Sequence, residues 1–324
     1  MKKGKFMKKS IFIAAAIIFI NTVAGFAQNS AVSLETVLSE SQKKTEFYRE
    51  TFKNLLGDEL KTFEEFDKSG NSDKKTTVKS SFLVYQSGKR ANATAELRNV
   101  LEVNGKLIPD SQKRGEEFLA ELDKQTTLES ELKKLQNEGS KYDKTWEVYG
   151  LTLNQAVALA PNLRPFFDFK LLGTETYQGN EVYVISYSQT KKNPYITVNE
   201  KEKTTPSELT LNFNLDIPGA LKKGDIFLRG KLWIDAKTFQ IWREERELTA
   251  QAGAPVVLLS NIFEYQPSDY GILVPKNISL TVFNAKKEKG GDKYSAVKDT
   301  NISFEYSHFR QTNVEVKILD EDPN

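Results

Sequence analysis

His308, in the run Glu305-Tyr306-Ser307-His308-Phe309, is the only histidine among 324 residues, and so the first place to look for proton-transfer chemistry. A Ser-His-Asp triad needs an imidazole held by an acid and facing a serine. One histidine permits that, but no G-x-S-x-G elbow accompanies it, and the residues read as a strand-end imidazole. Glu244, Glu245 and Glu247 beside Trp242 are the next group to question. Paired carboxylates at a fixed separation cleave glycosidic bonds when one of them holds its proton. Here Arg243 and Arg246 alternate with the acids, a pattern that cross-strand ion pairs on a wet face explain without catalysis. The chain has no cysteine, which excludes thiolate chemistry and zinc sites with several His or Cys ligands. Asp320-Glu321-Asp322 offers oxygens of the kind calcium takes, but reads as a solvated terminus. The sequence contains neither a Walker motif nor G-x-G-x-x-G. It therefore indicates no catalytic residue, no metal site and no cofactor.

The first 27 residues read as an export signal. Lys2, Lys3, Lys5, Lys8 and Lys9 make a basic start, and Ile11 to Ile20 is an uncharged apolar run. Ala24-Gly25-Phe26-Ala27 then puts small residues where a signal peptidase cuts. The run is shorter than the ~20 apolar residues of a spanning helix, so the expected mature chain, 28–324, is periplasmic or secreted and not membrane-spanning. The signal holds five lysines and no acid, and subtracting them from 46 basic residues leaves 41 against 44 acidic ones. That balance makes no one-sided positive field, so no nucleic-acid partner is expected. Without cysteine an exported chain has no disulfides and must hold together by burial alone.

Positioning any site falls to elements whose periodicity is legible. Leu34, Val37, Leu38, Tyr48, Phe52, Leu55 and Leu56 recur at helical spacing across 31–56, with Gly57 as the stop. This predicts an amphipathic helix lying on the chain's own sheet. Strands are predicted at 59–66, 76–86 and 94–103, then a turn at Asn104-Gly105 and a helical insertion near 111–150. A capping box of Thr152 and Gln155 predicts a short helix over 153–160. Beyond Pro165 come strands at 167–177, 181–189, 208–214, 226–234, 239–249, 256–266, 278–284 and 300–309, with loops at 191–207 and 215–224. The expected fold is α+β in a single domain, 28–324, with a curved antiparallel sheet covered on its concave side by helices.

The late strands carry more apolar side chains than a sheet with one wet face needs. A cavity under the helices accounts for the excess, and so does a thick ordinary core. Phe227, Trp233, Val257, Leu259 and Phe263 are the residues expected to line such a cavity, although a one-residue slip in register reverses every facing.

Three stretches carry a family likeness. LLGTETYQGNEVYVISYS (171–188) resembles the x-G-x-E-x-x-x-G-x-x-V-Y-x-I strand pair of the bacterial lipoprotein-carrier superfamily, the LolA/LolB type. GKLWIDAKTFQIWREE (230–245) resembles its L-W-I-D-x-x-T-x-x-I hairpin, and FEYQPSDYGILVPKNISLTVF (263–283) the strand-turn-strand of related secreted proteins. The resemblance implies a half-open β-barrel closed by helices, whose apolar interior accepts acyl chains. It leaves the carrier's gating arginine open between Arg98, Arg229 and Arg243. The function it implies is a periplasmic, non-enzymatic binding protein for an acyl chain, a lipoprotein or another hydrophobic ligand. Because the superfamily also contains an envelope sensor, the alternative is a sensor or protein-interaction module with a filled core, whose partner is an envelope protein.

Overall fold

The computed structural model describes residues 32–53, 55–86, 94–123, 136–137, 139–143, 148, 150–200, 209–222, 226–252, 254–289 and 293–311. The expected signal segment lies outside them. The chain divides into two compact units, Met1–Val32 and Ser33–Asn324, and every helix and strand described belongs to the second.

Helix α1 (Leu34–Phe52) starts where the Ser33 hydroxyl accepts from the Thr36 amide at 3.1 Å, satisfying one of the amides that a helix start leaves unpaired. One stripe of it, Val37, Leu38, Ser41, Thr45, Tyr48 and Phe52, is buried. The helix ends sooner than its periodicity predicts, because Leu55 and Leu56 open strand β1 (Leu55–Phe66). Gly57 is a strand residue rather than a helix stop. An added Cβ there would stand 2.9 Å from two ring carbons of Phe309, and the pairing with the last strand shifts register between Leu56 and Asp58. The glycine therefore serves a bulge and a close aromatic approach.

β2 (Ser72–Gln86), β3 (Thr94–Val103) and the short β4 (Lys106–Leu107) follow. Asn104 and Gly105 take φ of 49° and 76° between β3 and β4, the left-handed turn that this dipeptide favours. After α2 (Ser111–Asp123) come β5 (Phe167–Tyr177), β6 (Asn180–Gln189), β7 (Ile196–Val198), β8 (Leu211–Phe213) and α3 (Gly219–Lys222). The chain closes on β9 (Ile226–Asp235), β10 (Ile241–Ala252), β11 (Ala254–Gln266), β12 (Val274–Lys287) and β13 (Tyr294–Gln311). Eleven of these strands make one curved antiparallel sheet in the order β4-β3-β2-β1-β13-β12-β11-β10-β9-β6-β5. It does not close into a barrel, and β4 and β5 are its free ends.

Three local expectations change. The 191–207 stretch, read as a loop, includes β7, which pairs in parallel with β8; residues 201–208 lie outside the described ones. The 215–224 loop holds α3 and buries Leu215, Ile217 and Leu221. No α-helix forms over 153–160, where Val157–Leu159 is a single 3-10 turn. Thr152 gives its amide and its hydroxyl to Glu96, at 3.0 and 2.8 Å, instead of capping a helix.

Candidate functional site

Alternation sorts the side chains of the sheet onto two faces. Glu244, Arg246 and Leu248 of β10 share one. Phe263, Asn261 and Leu259 of β11 stand opposite them on one side, and Leu232, Gly230 and Leu228 of β9 on the other. α1 and the irregular segment 151–166 lie over this face. The Tyr48 ring meets Tyr265 edge-on at 6.0 Å, and Ala156, Val157, Leu159 and Leu163 are fully buried.

A buried stretch outside helices and sheets must find a partner for each peptide group or lose stability. Segment 152–156 finds them in side chains. Glu96 accepts from the Thr152 amide, and the Tyr48 hydroxyl donates to the Thr152 carbonyl at 2.7 Å. Arg49 Nε donates to the Leu153 carbonyl at 3.1 Å, and Arg246 Nη2 to the Asn154 carbonyl at 2.6 Å. Glu244 accepts from the Ala156 amide at 2.8 Å. Ala156 itself sits at φ 45°, a left-handed conformation uncommon for a residue with a Cβ.

Three of the groups that hold this cover, Glu96, Glu244 and Arg246, belong to two buried charge clusters. In the first, the Glu244 carboxylate also accepts from Arg246 Nε and Nη2 and from the Tyr187 hydroxyl, each at 2.9 Å, and the Arg246 guanidinium lies 4.6 Å from the Phe263 ring centre. Tyr187 reaches Glu244 by lying across Gly230, where an added Cβ would strike the Glu245 carbonyl and stand 2.5 Å from Tyr187 Cζ. Burial pushes the Tyr187 phenol well above its ordinary pKa, and the neighbouring Glu244 carboxylate adds to it. In the second cluster, Arg98 grips Glu59 with two bonds, at 2.7 and 2.9 Å, and reaches Glu96 at 3.0 Å. Lys61 meets Asp143 at 2.6 Å between the rings of Phe63 and Phe304. Burial opposes ionisation of Glu59, yet Arg98 and Lys61 outweigh it and hold that carboxyl below its ordinary range. For Lys61 and Asp143 burial prevails, lowering the ammonium and raising the carboxyl against each partner's pull.

The residues expected to line a cavity do not share a face. Leu259 and Phe263 are on the covered face, opposite Leu248 and Glu244. Trp233 is on the other face, where its Nε1 donates to Glu175 at 2.6 Å and its ring meets Arg243. Phe227 and Val257 both pair with Thr249, and β9 alternation puts Phe227 on the Trp233 side. Of the candidate arginines, Arg98 is locked in its acid cluster. Arg229 pairs with Glu247, and Arg243 with Glu245 and Glu264, on the opposite face. Arg49 and Arg246, which hold the cover, were not among the candidates. The wet-face reading of the 243–247 charges is right for Arg243, Glu245 and Glu247, and corrected for Glu244 and Arg246, which are 0% and 2% exposed. At His308, Ser307 Oγ and Asp58 Oδ2 both meet Nδ1, at 3.2 and 3.0 Å, whereas a triad needs serine and acid on different ring nitrogens.

No family model matches the chain, and no curated protein matches it by sequence. Solved structures similar to it include a LolA superfamily protein from Nitrosomonas europaea, 11% identical, covering 90% of this chain and 99% of that one with a TM-score of 0.35. A DUF1329 family protein from Desulfovibrio piger is 10% identical, with 86% and 93% covered and a TM-score of 0.37. The lipoprotein LppX from Mycobacterium tuberculosis is 11% identical, with 87% and 100% covered and a TM-score of 0.24. The superposition is loose, and any function must rest on the chain's own side chains.

Proposed function

We propose that the chain is a non-enzymatic binding protein of the cell envelope, periplasmic or secreted, that takes an acyl chain or another hydrophobic ligand between its sheet and the 151–166 cover. One observation carries this reading: the cover is irregular backbone, fastened at 152–156 by five residues that bond to its peptide groups. Such bonds can be exchanged for water when the cover lifts. Val157, Leu159 and Leu163, all fully buried, occupy space that an acyl chain fills with similar apolar burial, worth about 0.8 kcal/mol per methylene. Arg49 adds a recognition group, since its buried Nη2 has no hydrogen-bond partner among the described residues and suits a carboxylate or ester oxygen. Among the described residues no helix is long and apolar enough to cross a membrane.

The test is uptake of a fluorescent fatty acid by delipidated protein. Saturable uptake is expected, faster in the double variant Glu244→Gln/Arg246→Met, which loosens the cover without leaving a charge buried alone. Absence of saturable uptake in both proteins would overturn the reading. The filled state of the covered face favours a second reading, the sensor or interaction module. In that case an envelope protein co-purifies with the chain, and the double variant leaves its capture unchanged.

A further inference from the structure

A cavity of about 370 Å³ lies where β3 meets the start of α2 and residues 141–142. Its size is that of small-molecule sites, roughly 300–1,000 Å³. Ile108, Pro109 and Tyr142 give it apolar walls, over a floor that includes Leu97 and Val100. Both floor residues are buried.

The charges at this cavity are unbalanced. Arg98 reaches its wall but belongs to Glu59 and Glu96. Arg114 and Lys141 also line it, and among the described residues neither is within ion-pair distance of a carboxylate; the Lys141 ammonium meets only the Tyr142 ring, at 6.0 Å. Among the described residues Asp110 is the one acid of the lining. α2 begins here, with Asp110 at its cap position, where its backbone carbonyl accepts from the Arg114 amide at 3.0 Å, and no acid in the turn that follows. The geometry is also fixed in advance. Asn99 Nδ2 donates to the Ser111 carbonyl at 2.9 Å, and Gly115 lies so close to Asn99 that an added Cβ would strike its Nδ2. A helix start docked this tightly does not have to be ordered by a ligand.

We infer that this cavity binds an amphiphilic anion, a carboxylate or phosphate carried on a short apolar body, with Arg114 and Lys141 holding the charge and Ile108 and Tyr142 the apolar part. Its lining shares no residue with the 151–166 cover or with the five side chains that fasten it, and the inference stands whether or not a ligand enters beneath that cover. Calorimetric titration of the full chain with octanoate, octyl phosphate, octanol and inorganic phosphate tests it. Saturable binding of the two octyl anions is expected, with octanol and inorganic phosphate far weaker. Arg114→Ala/Lys141→Ala should weaken the octyl anions about tenfold or more, while Tyr142→Ser weakens octyl phosphate more than inorganic phosphate. Both cations are exposed, so the double variant should fold. Vesicles containing anionic phospholipid identify the source: binding lost in the double variant assigns a lipid headgroup, and no vesicle binding assigns a free organic anion. Octanol binding as well as octanoate, inorganic phosphate matching octyl phosphate, or unchanged affinity in the double variant would overturn the inference.

Discussion

The two faces of β10 show what a single residue contributes and how far it can be read in advance. Arg243, Glu245 and Glu247 were legible as surface pairs. Glu244 and Arg246 share the same alternating run, and the signal that they turn inward was available: their parity is that of Leu248. What the sequence did not contain was the partner, because the Ala156 amide and the Asn154 carbonyl are supplied by a segment about ninety residues earlier. The Asp235 turn was fully local, and so was legible. Its carboxylate accepts from the Lys237 and Thr238 amides at 2.9 and 2.7 Å and from Trp242 Nε1 at 2.9 Å. Burial raises its pKa, but these donors outweigh burial and hold it below the ordinary 3.8. A depressed carboxyl stabilises the fold above its unfolded pKa, and that contribution disappears as pH falls through the native value. Asp235→Ala should therefore cost about 2 kcal/mol near neutral pH. Urea titrations repeated below pH 3.8 should show the gap to the parent chain shrinking.

At the scale of elements, the sequence pattern marks strands more sharply than helices. β3 and β5 fall where alternation puts them, since pairing merely extends what the pattern already says. Helical periodicity extends α1 too far because Leu55 and Leu56 fit both periods, and only pairing with β13 and β2 decides between them. The 153–160 stretch failed for another reason. Its capping residue Thr152 bonds the buried Glu96 carboxylate instead, which no local propensity can anticipate. Gly230 in β9 is the element-level counterpart, a glycine inside a central strand whose missing side chain lets Tyr187 lie flat and reach Glu244. Gly230→Ala should cost about 1–3 kcal/mol by overpacking, seen as a lower urea midpoint. Tyr187→Phe added to it should cost less than it does alone, because the bond to Glu244 is already disturbed.

For the whole molecule, the curved sheet under helices was legible, because consecutive strands with short turns leave few other topologies. The order in which its halves join was not. β13 sits between β1 and β12, and Ser303 pairs with both Thr62 and Ser279. Ser303→Pro removes a ladder donor in mid-sheet and should cost about 3 kcal/mol or more. Leu172→Pro, on the free-edge strand β5, should cost far less. Thermal melts followed by circular dichroism compare the two, and equal losses would mean that the sheet does not depend on its central seam.

That seam has a consequence for how the molecule is made. Its zipper is the final eighteen-residue strand, the last of the sheet to leave a ribosome or a translocation pore. Until it arrives, β1 and β12 each present a bare rim to whatever is nearby. A premature stop before Tyr294 would leave the product split down the middle, with two naked margins of the sort that recruit neighbouring chains into aggregates.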